Sequence, residues 1–427
     1  MDAEKLLRDY VKPSMGCTEP AAVALAAATA RQAAWGQVLS IAVVVDRDIF
    51  RNGLAVGVPG AGGQRGNPIA AALGALGGDP SLGLEVLRTV TSAHLEQAST
   101  LLAQGSVAVR MDEQVTGPYV DATVVTSTGR GRATISGSHT EVVRVERDGR
   151  LLGSTHAGKG PADQSDTSAA DPWLRHARVS DLIACLQHMD GRALDYALLG
   201  VDMNRRAAET GIAQAPGLAI GASVMHRVSK CPNCLCLRAR SMTASAVDAR
   251  MAGLNVRIMT SSGSGNQGIV TTLPTLAAAE LVQAERVRLG KAVALAHLLL
   301  ARMSAELGLL TPLCGSAVQA AAAASAAITW LLGGSAEQVE QAAAVTLASQ
   351  ATVLCDGAKA SCAIKAAQGA GVATEIALLT IDGLNVGPGN GLIGPGLLET
   401  LRDVRLIAED LKSASQHVLE SITRNAC

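Results

Sequence analysis

Aromatic side chains are almost absent from this sequence: one Phe, three Tyr and three Trp serve 427 residues. Rings normally supply much of the area that a core buries. A chain without them must build its interior from Ala, Val, Leu and Ile in close contact, and 44 Gly allow backbone segments to approach that closely. With 48% hydrophobic and 17% charged residues, the chain is expected to fold rather than stay disordered. The scarcity of rings argues against base-stacking platforms, and a net charge of −1 gives no electrostatic hold on nucleic acid or an anionic membrane. The expected partner is a small molecule.

At roughly 100–200 residues per domain, the length predicts two or three domains. Residues 1–36 read as helical, with strong helix formers after Pro20, and dock on the catalytic domain. Residues 37–157 read as a smaller α+β domain with a mostly antiparallel sheet. It opens on the strand SIAVVVDRDIF, continues through helices at Pro68–Leu76 and Leu84–Gln104, and ends in short β-branched runs joined by Gly- and Asp-containing turns. Segment 158–172 reads as a polar linker, and 173–427 as an α-helical domain punctuated by Gly/Ser-rich loops at 261–268 and 384–396. The fold class is therefore α+β. The charged start MDAEKLLRDYVKP shows no signal peptide. The most membrane-like stretch, Ala317–Leu332, is interrupted by Gln319, Ser325 and Thr329 and falls short of ~30 Å of hydrocarbon, so a cytoplasmic protein is expected. Nine Cys without an export signal read as thiols, ligands or catalytic groups rather than a disulfide frame.

Three places combine reactive side chains with permissive backbone. Cys17 sits in Gly16-Cys17-Thr18-Glu19-Pro20 at a helix start, where the dipole is expected to lower a thiol's pKa; a small buried Cys at a helix entry fits the same spacing. Ser261–Gly268 (SSGSGNQG) alternates Gly with small polar residues ahead of an apolar run, which suits either a nest of amides for an anion or an ordinary loop. The segment VGVPGAGG from Val56 raises the same possibility. Cys355 and Cys362 lie seven residues apart, two turns on a continuous helix, and the gap back to Cys314 suits a helix-turn-helix return. Three thiolates plus one open position suit a [4Fe–4S] cluster whose free iron acts as a Lewis acid, although three unrelated buried cysteines satisfy the spacing as well. Cys231, Cys234 and Cys236 form half of a zinc knuckle at most, with His226 the only near candidate to complete it.

Taken in order, VKPSMGCTEPAAVALAAATA, RNGLAVGVPGAGGQRGNPIAAALGALGG, SHTEVVRVERDG, VDARMAGL, SGSGNQGI, LTPLCGSA and CDGAKASCAIK resemble successive signatures of the L-cysteine desulfidase family. That family lies within the iron–sulfur serine dehydratase alpha-chain superfamily. The resemblance runs from about residue 11 to 365. It implies β-elimination of L-cysteine to hydrogen sulfide, ammonia and pyruvate without pyridoxal phosphate. It also implies a [4Fe–4S] cluster held by Cys314, Cys355 and Cys362, and a homodimer. Two departures stand out: Val247 where the family has Ser, and CPNCLC in a shortened loop. The chain ends in Cys427, and in some serine dehydratase relatives a terminal Cys folds onto the open iron.

Under this reading Cys17 is the first candidate for the base. Lys365 serves as base, carboxylate partner or counter-charge to the cluster. Ser264, Asn266, Gln267 and Asn52 contact the substrate carboxylate and amine, and His139 reaches substrate or bridges the domains. Arg250 and Asp248 are expected to form a structural ion pair, and His297 to be a core histidine. L-serine or threonine dehydration on the same cluster is the rival activity, and a zinc-binding thiol sensor is the rival class.

Overall fold

The computed structural model describes residues 3–115, 117–154, 171–308 and 311–426. In chain order its strands are β1 (Pro13–Met15), β2 (Val38–Val45), β3 (Val107–Met111), β4 (Tyr119–Thr126), β5 (Gly129–Ser136), β6 (Val142–Arg147), β7 (Arg150–Ser154) and β8 (Arg257–Met259). The six strands β2 to β7 form one sheet in the order β3-β2-β4-β5-β6-β7, antiparallel except for the β2–β3 pair. Nearly all other regular structure is helical, so the α+β class holds.

There are two main cores. One packs the inner face of the sheet against helices Thr18–Ala33 and Asn67–Gly77. The other lies among the helices from Pro172 onward. Small residues set the spacing in the first core. A Cβ at Gly131 on β5 would stand 1.9 Å from the Ala30 carbonyl oxygen, and one at Gly74 would stand 2.3 Å from that of Ala24. Backbone thus meets backbone, the arrangement that a ring-poor sequence requires.

The amino-terminal segment is shared between the cores rather than docked as one helical piece. Helix Ala3–Tyr10 buries Leu6 and Leu7 in the helical core, whereas Thr18–Ala33 belongs to the sheet core. Between them β1 pairs antiparallel with β8, Pro13 opposite Met259, and this ribbon links the two cores. The long helix expected over Leu84–Gln104 is split into 3-10 turns at Pro80–Thr89 and a helix at Ser92–Ala103. The break falls at Val90 and Thr91, both extended, with Thr91 as the N-cap of the second piece. Of the linker expected at 158–172, residues 158–170 lie outside the described residues, and Asp171–Pro172 begin helix Pro172–His176.

Ala317–Leu332 contains the buried helix Gln319–Leu331. Helix Cys362–Ile381 alone, among the described residues, is long and apolar enough to cross a membrane. It packs on helices Leu235–Met251 and Gln319–Leu331, and half of its most apolar stretch is buried there.

Candidate active site

The β1–β8 ribbon decides what meets at the domain junction. Beyond β8, the Thr260 N–H donates to the Lys12 carbonyl at 2.8 Å and the Ser262 N–H to that of Tyr10, also at 2.8 Å. The Gly16–Cys17 corner and the 261–268 loop are thereby held side by side. The loop turns through Ser262 at φ +46° and Gly263 at φ +76°, and Ser264 then caps helix Gly265–Leu281 by accepting the Gln267 N–H. A hydrogen bond from Arg250 Nε to the Gly16 carbonyl (2.9 Å) crosses the same junction, and the other arm of that guanidinium donates to Asn266 Oδ1 (2.9 Å).

The thiols arrive on loops. The Cys314 N–H donates to the Val353 carbonyl and the Cys355 N–H to that of Pro312, each at 2.7 Å, stitching the two cysteine-bearing segments together as a short antiparallel ladder. Helices Gln319–Leu331 and Ala336–Gln350 make the return between them, as the 41-residue gap suggests. Cys355 and Cys362 do not share a continuous helix. Cys355 precedes the turns at 356–361, Gly357 at φ +88° among them, and Cys362 is the first residue of helix Cys362–Ile381.

Cys17, Asn52, His139, Ser264, Asn266, Gln267, Cys314, Cys355 and Cys362 all line one cavity of about 100 Å³. Lys365 does not. Its ammonium donates to the Leu354 carbonyl at 2.7 Å and pairs with Asp356, bracing the loop behind Cys355. The glycines of VGVPGAGG stay out of the cavity too: a Cβ at Gly57 would stand 2.4 Å from the Ala252 backbone, so this segment serves close packing at the junction.

Sequence reasoning missed Glu19 and Arg51, and misjudged Arg250. The Glu19 carboxylate accepts from Cys17 Sγ (2.9 Å), Thr18 Oγ1 (2.9 Å) and Asn52 Nδ2 (2.7 Å). A glutamate in an otherwise alanine-rich, buried helix was the available signal. Arg51 lies across the junction beside the Cys355 loop, with its side chain only 2% exposed and paired to Asp48 at 2.7 Å. Arg250 forms no ion pair with Asp248. Two residues apart on a helix they face different sides, and Asp248 accepts the Gly221 N–H instead.

The electrostatics overturn one expectation. Cys17 does stand at the N-cap of helix Thr18–Ala33, yet its pKa is raised well above normal, because burial and then the Glu19 charge outweigh the helix end and Arg250. The thiol stays protonated, its hydrogen directed at Glu19. Burial alone would raise Glu19, but His139, the Cys17 hydrogen bond and Arg250 together hold it below its ordinary value. Burial lowers the His139 pKa, against the opposing pull of Glu19 and with a further push from Arg250. Burial also raises Cys355 and Cys362, each held up further by Cys314; Arg51 opposes the shift at Cys355 and Lys359 at Cys362.

Several polar atoms of the lining residues are buried with no protein partner: Asn52 Oδ1, Gln267 Oε1, His139 Nε2 and Arg51 Nε. Such atoms are costly unless a ligand completes them. Among the described residues no three Cys, His, Asp or Glu side chains converge on a single ion, and this applies also to Cys231, Cys234, Cys236 and His226. A cubane places less demand on convergence, since each thiolate binds a different iron. Three thiols on one cavity, Cys314 buried and Cys355 and Cys362 half-buried, with Arg51 facing Cys355, match such a donor set. Cys427 lies outside the described residues.

The chain is 36% identical to a UPF0597 protein of Desulforapulum autotrophicum over 94% of its own length and 92% of the relative's. It is 36% identical to one of Nitratidesulfovibrio vulgaris over 98% of both chains, and 36% to one of Kosmotoga olearia over 94% of both. Residues 82–420 match the serine dehydratase alpha chain family. The chain therefore belongs to the iron–sulfur serine dehydratase alpha-chain family.

Proposed function

We propose that this protein is an L-cysteine desulfidase, converting L-cysteine to sulfide, ammonia and pyruvate, with Cys314, Cys355 and Cys362 as the ligands of a [4Fe–4S] cluster. The observation that carries the proposal is that these three thiols line the same cavity as the Cys17–Glu19 pair. When bound, a cluster with one iron free of protein thiolate supplies a Lewis acid for the substrate's sulfur and carboxylate.

The protein's own groups handle the rest. Asn52 Oδ1 and Gln267 Oε1 are acceptors without donors, the complement of an α-ammonium group. Arg250 and Arg51 supply positive charge for the carboxylate. Cys17 Sγ takes the α-proton as its own proton passes to Glu19 Oε2 along the 2.9 Å bond, while Thr18 and Asn52 hold that carboxylate in place. The aminoacrylate released hydrolyses to pyruvate and ammonia.

Dehydration of L-serine is the second reading, favoured by the description of the matched family. Sulfide and pyruvate release from cysteine and serine, measured on anaerobically reconstituted protein, separates the two. Sulfide with stoichiometric pyruvate supports desulfidation. Pyruvate from serine with no sulfide from cysteine overturns it and leaves the cluster assignment standing.

A further inference from the structure

Cys231-Pro232-Asn233-Cys234 plays no part in the cavity. It bridges helices Ile220–Val228 and Leu235–Met251, and is closed by a hydrogen bond from the Cys234 N–H to the Cys231 carbonyl at 3.1 Å. Proline at the second position presets the turn. A turn of this kind keeps its first and fourth Cα atoms within about 7 Å, close to the span of about 4.4–6.8 Å that a disulfide requires. Both thiols are free; Cys231 is exposed and Cys234 half-buried at the helix start.

A second observation comes from the neighbouring surface. A cavity of about 260 Å³ adjoins the turn, walled by Ile212, Met225, Val228 and Met242, with two arginines, Arg205 and Arg238, and two glutamates, Glu209 and Glu280, around it. Val228 accepts the Cys231 N–H and Arg238 donates to the Pro232 carbonyl at 3.5 Å, so the cavity and the dithiol share residues. Arg205 and Arg238 both pair with Glu280, yet the Nε of each is buried without a partner. Exposed Arg227 and Lys230, just before the turn in the chain, add positive charge to this surface, which attracts anionic molecules.

We infer that Cys231 and Cys234 form a redox-active dithiol that reduces low-molecular-weight, carboxylate-bearing disulfides seated in the adjoining cavity. The exposed Cys231 attacks one sulfur of the small disulfide, its proton leaves with the first thiol released, and a mixed disulfide forms. Cys234 then attacks Cys231 Sγ and its proton leaves with the second thiol. Two electrons pass from the dithiol, which ends as the Cys231–Cys234 disulfide. This chemistry is independent of the reaction at the thiol-lined cavity.

The test is incubation of the full chain with glutathione disulfide, followed by peptide mapping. Mapping assigns each thiol separately, with or without a cluster. The expected wild-type product is an intramolecular Cys231–Cys234 bond with two glutathione molecules released. Cys234→Ser should trap a glutathione adduct on Cys231, and Cys231→Ser should leave Cys234 unmodified. Arg205→Gln should slow the reaction several-fold with glutathione disulfide but not with uncharged hydroxyethyl disulfide. Free Cys231 and Cys234 after incubation, or stable separate adducts in place of the internal bond, overturn the inference. So does zinc held by these thiols in the purified protein. Equal slowing of both disulfides by Arg205→Gln removes the cavity from it.

Discussion

The two walls of the thiol-lined cavity differ in chemistry. The amino-terminal segment and small domain contribute the Cys17–Glu19 pair, Asn52, Arg51 and His139, a hydrogen-bonded set built to hold and move a proton. The helical domain contributes Ser264, Asn266, Gln267 and the three thiols, neutral or soft groups without a carboxylate among them. Arg250 reaches from the second wall to the first. The division has an electrostatic logic. A buried carboxylate close to thiolates would raise every pKa involved, whereas setting them on opposite walls with Arg51 and Arg250 in the same cavity keeps both usable. It also means that neither wall alone carries a complete site.

Four substitutions probe this division, from the largest effect to the smallest. Replacing any one of Cys314, Cys355 or Cys362 with Ser should abolish iron binding and reduce turnover below detection, read by iron content and pyruvate release. An iron-replete Cys355→Ser enzyme with wild-type turnover breaks the assignment of the helical wall. Glu19→Gln should leave iron content intact and lower kcat by about 10²–10⁴-fold, the usual range for losing a general base. A change in KM alone would instead make Glu19 a substrate contact. Lys365→Met should weaken iron retention about 10–100-fold against a chelator, as expected when support behind a ligand is lost, with turnover per bound iron unchanged. A fall in turnover per iron would restore Lys365 as a participant in the chemistry.

The smallest effect concerns the floor under the 261–268 loop, where His297 Nδ1 meets Ser261 Oγ at 2.9 Å. Burial pulls His297 down from 6.5 to about 4. Its folded pKa lies below the unfolded one, so its contribution to stability is present above about pH 6.5 and is lost as pH falls towards 4. Wild-type protein should lose about 2 kcal/mol of unfolding free energy between pH 7 and pH 5 from this group, and His297→Gln should lack that part of the dependence. Identical pH slopes in urea unfolding would show that the imidazole is not held neutral.

Part of the site was legible because it is written in local sequence. GCTEP and SGSGNQG each place a reactive side chain at a helix start or on a glycine-containing turn, and these elements formed where their residues predict. His297 is a core histidine, as its apolar surroundings suggest. The misreadings arose where tertiary contacts outweigh local rules. The helix dipole predicted an acidic thiol at Cys17, but burial against Glu19 reversed the sign. Seven-residue spacing predicted one helix for Cys355 and Cys362, but a turn through Gly357 intervenes.

The sequence by itself determined a ring-poor, glycine-spaced interior, an α+β class and three cysteines at spacings that permit convergence. These follow from side-chain volume, hydrophobic period and chain connectivity, all local properties. Only the tertiary structure decided that a three-residue ribbon between β1 and β8 brings the two cores into register. That pairing joins residues some 250 positions apart, which no local rule encodes, and it sets Glu19, Arg51 and Arg250 around the thiol-lined cavity.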